Sequence, residues 1–171
     1  MSDVSRLLVD LNRSIGHPRL FSEFVHGIRD ADRHRILDAH YRPYRDRVET
    51  AIREIVHAGG AALHLSIHSF TPVLDGKTRN ADVGILYDPR RSSERAFATS
   101  LVPPLREGPF RVRRNYPYSG TADGLTTSLR RAFPDRVYRG IEIEMNQGTF
   151  AERMARVRLV RILCEVIEAY R

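Results

Sequence analysis

A three-layer α/β/α fold around a mainly parallel or mixed sheet is what this chain of 171 residues predicts. Three observations predict it. Short apolar runs alternate with longer segments whose apolar residues recur at helical spacing, the pattern that builds such a sheet with helices on both faces. Glycine and proline pairs, Gly59-Gly60 and Pro103-Pro104, punctuate the alternation. Polar residues cluster at the carboxyl ends of several apolar runs, where open α/β sheets gather ligands and catalytic groups.

Taken in order, Leu7 to Asp10 reads as a short buried strand, and residues 14–35 as a loop with a helical piece. From Ile36 to Ala58, Leu37, Tyr41, Tyr44, Val48, Ile52 and Ile55 recur at helical spacing. Gly59-Gly60 ends that helix, and Pro43 inside it predicts either a kink or a start nearer Arg42. Residues 61–67 form a strand ending at His68, and Val83 to Tyr87 form another. Ser92 or Ser93 caps a helix reaching Val102, stopped by the two prolines. Phe110 to Arg114 is a strand, 122–133 a helix, Val137 to Met145 a strand and 150–170 a long amphipathic helix. With no repeat, low-complexity tract or linker, a single domain over 1–171 is expected.

Composition bounds the function. Apolar content of 42% and charged content of 29% are those of a globular protein. No run reaches membrane-spanning length, and Asp3, Arg6 and Asp10 stand where a signal peptide needs an apolar core, so a cytoplasmic location and no membrane partner are expected. The one cysteine, Cys164, lies among Leu159, Ile162, Leu163 and Val166 and reads as a small buried hydrophobe. The net charge of +7 raises nucleic acid as a partner. Lys77 is the only lysine, and the arginines are scattered among Asp and Glu with no recognition motif or aromatic stripe. A solvated surface is therefore expected rather than a nucleic-acid interface.

Four clusters could carry chemistry. His68 at a strand end suits a metal ligand, since neutral imidazole is the commonest; it equally suits a turn histidine bonded to Ser69 or Thr71. His64 cannot join it as a ligand, because four residues along a strand span about 13 Å. Glu142 and Glu144, two apart on one strand, share a face opposite Ile141, Ile143 and Met145. Buried carboxylates are costly unless they meet a metal, an arginine or water, and Glu144 is the better placed general base; the other reading is a wet edge strand. Asn12-Arg13 follow a buried run, where a guanidinium grips a carboxylate or pairs with Asp10 or Asp30. Asn115 and Tyr118 lie in a proline-containing turn, and Arg79 and Asp82 in the loop before a strand.

Five stretches, SRLLVDLNRS (5–14), HLSIHSFTP (64–72), RNADVGILYDPRR (79–91), RRNYPYSGTADGLTTSLRR (113–131) and YRGIEIEMNQ (138–147), together resemble the N-formylglutamate amidohydrolase family. That family is similar to the zinc carboxypeptidases and aspartoacylases, and its members hydrolyse the amide of N-acylated acidic amino acids. The resemblance implies zinc as cofactor, a small N-acyl amino acid as substrate, His68 as metal ligand and Glu144 as general base. It implies that Asn12 and Arg13 bind a substrate carboxylate, with Arg79, Asn115 and Tyr118 also at the substrate. Zinc would lower the pKa of its water to about 7, Glu144 would take the proton, and the hydroxide would attack the amide.

Family members carry an upstream segment with further metal ligands, and Met1 stands a few residues before DLNRS, so an N-terminally shortened domain is expected. A catalytic zinc takes three protein ligands, and only His68 is in a matching motif; His17 and His26 could substitute, but no spacing argues for them. Three expectations follow: a fuller active enzyme, an inactive shortened homologue binding a carboxylate or a protein partner, or a homo-oligomer completing the site.

Overall fold

The structure, a computed structural model, describes residues 4–25 and 27–170. The chain forms two compact units. One comprises Met1–Ala62 and Asp123–Val137, the other Leu63–Ala122 and Tyr138–Arg171.

The first unit is helical. Helix α1 (Asp30–Ile36) passes through a π turn (Leu37–Tyr41) into α2 (Arg42–His57). The backbone N–H of Arg42 reaches back five residues to the Leu37 carbonyl. Pro43 thus falls where the ladder is already widened, which is how the run tolerates a residue without an N–H. Leu37 and Tyr41 pack with Val9 and Leu20 from the preceding loop. That packing explains why Leu7 to Asp10 is not the expected strand. Leu8 N–H closes a turn on the Ser5 carbonyl at 2.9 Å, Leu7 is exposed, and Val9 alone of the run is fully buried, as a plug on the helices.

The second unit holds strands β1 (Ala62–Phe70), β2 (Val73–Leu74), β3 (Lys77–Thr78) and β4 (Val83–Leu86), helix α3 (Ser92–Glu107) and β5 (Val112–Arg114). Helix α4 (Leu125–Ala132) returns to the first unit, and β6 (Tyr138–Asn146) and α5 (Arg153–Ala169) complete the second. The four-stranded sheet has the order β1-β6-β4-β5. Strand β4 runs parallel to β5 and antiparallel to β6. Ala62 N–H bonds the Val137 carbonyl and Gln147 N–H bonds the Phe70 carbonyl, so β1 and β6 run in the same direction. The sheet is mixed and flanked by helices, as the sequence predicts. Strands β2 and β3 form a separate exposed hairpin.

Alternation sorts β6 into two faces. Ile141 and Ile143, with Val83, Ile85 and Val112, join Phe97, Leu101 and Leu105 of α3 and Leu159, Ile162 and Val166 of α5 in one core. Glu142 and Glu144 take the other face. Two features of the helices correct the sequence reading. Helix α3 continues past Pro103 and Pro104 to Glu107, because Pro103 is exposed and Pro104 half-buried while Leu101, Val102 and Leu105 remain in the core. Its N-cap is Arg91, not Ser92 or Ser93. Cys164 is exposed, on the outer side of α5, and not the buried hydrophobe expected. Among the described residues no helix is long and apolar enough to cross a membrane.

Gly84 is fixed by a close backbone approach. A Cβ there would stand 1.9 Å from the Tyr116 carbonyl oxygen, which crosses that face of the sheet beside Glu144. Gly84→Ala should therefore destabilise the protein by about 3 kcal/mol, measured by urea unfolding. A loss within experimental error would mean that the 115–117 turn moves aside at no cost.

Candidate functional site

The carboxylate face of β6 is the chemically richest place in the second unit. Glu142 is 8% exposed and Glu144 5%. Both stand on a strand paired on both sides, so the wet-edge reading does not hold. On the neighbouring β1, His64, Ser66 and His68 share one face by alternation, while Leu63 and Leu65 pack toward the core. His68 lies inside the strand, which runs on to Phe70, and not at its end as expected. Its Nε2 is 2.9 Å from Ser66 Oγ and 3.8 Å from Glu142 Oε2. The histidine is held by a serine two residues back on the same strand face. Glu144 is registered against Gly84, the residue without a side chain over which the Tyr116 carbonyl passes.

Arg79 and Tyr118, 39 residues apart, meet at the surface of the same unit. Arg79 Nη1 donates to Tyr118 Oη at 3.1 Å. The guanidinium carbon lies 5.2 Å from the Tyr118 ring centroid and 5.9 Å from that of Phe70. Two aromatic faces thus fix the orientation of a planar cation able to bind a carboxylate. Phe70 went unmarked in the sequence; its period-two spacing from His68 was the available signal.

Asn115 is a backbone organiser. It has φ of 48°, and its Oδ1 accepts from the N–H groups of Tyr87 at 3.0 Å and Gly120 at 3.1 Å. That double bond fixes the turn presenting Tyr118. Asp82 is likewise held: Arg111 Nε and Nη2 donate to its two oxygens at 2.9 Å, and Thr149 Oγ1 donates at 2.6 Å. The Arg111 hydrogen bonds and charge lower its pKa to about 2 against the opposing effect of burial. A carboxylate so held serves as structure, clamping the start of β4 to β5.

Asn12 and Arg13 lie in the first unit. Asn12 Oδ1 accepts from Leu125 N–H at 2.7 Å and so caps α4 from a distant loop. Arg13 Nη1 donates to the Asp123 carbonyl at 3.1 Å, its Nε is 3.9 Å from Asp10, and its own carbonyl accepts from Tyr41 Oη at 2.7 Å. Burial works to raise the pKa of Asp123, but bonds from the Ser14 hydroxyl and N–H, with the charges of His17 and Arg13, bring it below the ordinary range. His26 lies outside the described residues.

The zinc that the resemblance implies needs three protein ligands. Among the described residues no group of three His, Cys, Asp or Glu side chains is arranged to hold a metal. His68 with Glu142 facing it falls short of the three protein ligands of a catalytic zinc.

The N-formylglutamate amidohydrolase family model matches residues 1–151. The chain belongs to the N-formylglutamate amidohydrolase family. The family name is that of a hydrolase acting on amide bonds. A solved structure of a gene product from Agrobacterium tumefaciens is 29% identical, with a TM-score of 0.76, covering 97% of this chain and 69% of that one. The N-formylglutamate amidohydrolase of Ralstonia eutropha shares the fold at 19% identity and a TM-score of 0.65, covering 84% of this chain and 63% of its own. No curated protein matches the chain.

Two outcomes are expected of the polar supports. Asn12→Ala should cost about 1 kcal/mol by removing the cap of α4, read by thermal or denaturant unfolding. For Asp82 the folded pKa of about 2 lies below the ordinary 3.8. Its contribution is therefore complete above about pH 4 and lost as pH falls toward 2. The Tm gap between wild type and Asp82→Asn should close across that window; a constant gap would remove the charge from the account.

Proposed function

We propose that this protein hydrolyses the amide bond of a small N-acyl amino acid, N-formylglutamate being the substrate its family name indicates. The observation that carries the reading is the buried carboxylate pair of β6, Glu142 and Glu144, on a face with His68 3.8 Å from Glu142. Membership of an amide-hydrolase family, matched over residues 1–151, supports it.

In this reading Glu144 is the general base that takes a proton from the attacking water and returns it to the leaving amine. His68, steadied by Ser66 and facing Glu142, positions the water side of the reaction. Arg79, stacked on Phe70 and bonded to Tyr118, holds a substrate carboxylate. The carboxylate-binding roles that the resemblance gives Asn12 and Arg13 belong to the same proposal, and Asn115 contributes by shaping the turn of Tyr118. No step is assigned to zinc, since His68 and Glu142 do not by themselves fit its three-ligand site.

The test is formate release from N-formylglutamate by the purified chain, with Glu144→Gln and Arg79→Gln beside it. Glu144→Gln should lower kcat at least about 100-fold with unchanged unfolding, and Arg79→Gln should raise KM chiefly. Zinc content measured on wild type and on His68→Ala reads the implied ligand separately: zinc lost only in the variant supports it. A folded chain that releases no formate from N-formylglutamate, with or without added zinc, would overturn the hydrolase reading. It would leave a homologue that binds carboxylates or a protein partner.

A further inference from the structure

We propose that two copies of this chain associate through the outward face of α5, antiparallel, about a two-fold axis between Val160 and Arg161. The inner face of α5, Leu159, Ile162, Leu163 and Val166, is buried against the core. The outer face is also apolar: Met154 is 66% exposed, Val157 49% and Val160 59%, and Cys164 is exposed as well. Apolar residues on both sides of a surface helix are unexpected unless a second partner covers the outer one.

The charges on the helix identify that partner. Arg153, Val157, Val160, Cys164 and Glu168 fall within about 80° of one another at 100° per residue, forming one stripe. The stripe is nearly symmetric about its middle, with a charge four residues outside the apolar segment at each end and opposite signs at the two ends. Among the described residues neither Arg153 nor Glu168 makes an ion pair.

The helix also carries its charges against its own dipole. Arg153, Arg156, Arg158 and Arg161 occupy the first half and Glu165 and Glu168 the second, and apart from the flanking Glu152 the first turn has no acid and the last no base. A helix alone in water prefers the reverse. An antiparallel copy removes the conflict, because each basic half then lies beside an acidic half and an opposed dipole. In that register Arg153 faces Glu168 of the other copy, Val157 faces Cys164, and Val160 faces the aliphatic stem of Arg161, whose guanidinium is held 2.9 Å from Glu165 on its own helix. Each contact occurs twice, as a closed two-fold interface requires. A parallel pair would instead set Arg153 against Arg153. One helix face is less than a stable dimer buries, so the association is weak and concentration-dependent.

Sedimentation velocity over a wide concentration range should show a monomer–dimer equilibrium. Arg153→Glu should weaken it roughly tenfold by opposing like charges. Adding Glu168→Arg should restore it, a recovery that a general loss of structure cannot give. Both changes suit the helix dipole, so the fold is retained. Under oxidation Val157→Cys should cross-link to Cys164 of the second copy, whereas wild type, with its two Cys164 about 10 Å apart along the axes, should not. A monomer at every concentration overturns the proposal. So does a double variant as weak as Arg153→Glu, or efficient Cys164–Cys164 cross-linking in wild type.

Discussion

The second unit depends on one strand carrying two incompatible faces. On one side of β6, Ile141 and Ile143 are fully buried against α3 and α5. On the other, Glu142 and Glu144 are almost as buried but polar, and burying polar groups is unfavourable unless they find partners. Both neighbours of β6 shape that face. Strand β1 supplies His68, held by Ser66, opposite Glu142. Strand β4 supplies Gly84 beside Glu144, leaving room for the Tyr116 carbonyl. The sheet order β1-β6-β4-β5 puts the carboxylate strand inside, where pairing on both edges fixes its register and therefore the face each acid occupies.

Polar side chains in the loops hold this arrangement. Asp82 clamps β4 to Arg111, Asn115 gathers two backbone N–H groups into one turn, and Asn146 Nδ2 donates to the Ala81 carbonyl at 2.8 Å. Each replaces a loop's missing ladder bonds with side-chain bonds. That is why the loops around the carboxylate face use Asn and Asp as backbone supports. The first unit uses the same device: Asn12 caps α4 from a loop more than a hundred residues earlier.

Period-two and period-three-to-four patterns were legible wherever one partner covers a segment. The long helices, the sheet strands and the shared face of Glu142 and Glu144 follow from them. The failures have physical causes. The run Leu7 to Asp10 is apolar enough for a strand but plugs a helix junction, and composition does not tell a plug from a ladder. Pro103-Pro104 ends most helices, but here the prolines lie on the outer side of α3 and core burial of Leu101 and Leu105 carries the helix through. His68 reads as a strand end in the sequence, but pairing with β6 extends the strand to Phe70. Contacts such as Arg79 with Tyr118, or Asn12 with Leu125, join distant segments, and their pairing is invisible in local pattern.

Burial alone does not tell a working carboxylate from a structural one; the donors around it do. Glu94 at the start of α3 is fully buried, yet its oxygens accept from Asp88 N–H at 2.9 Å and Gly140 N–H at 3.1 Å, with Arg91 Nε 3.1 Å away. Through these donors Glu94 ties the start of α3 to β6. Asp82 is the same case with Arg111. Glu142 faces the His68 imidazole, its Oε2 3.8 Å from Nε2. A hydrolase needs an acid whose surroundings allow its proton to come and go. Glu94 and Asp82 tie elements of the second unit together, and the proposed chemistry rests instead on the pair that shares the His68 face of β6.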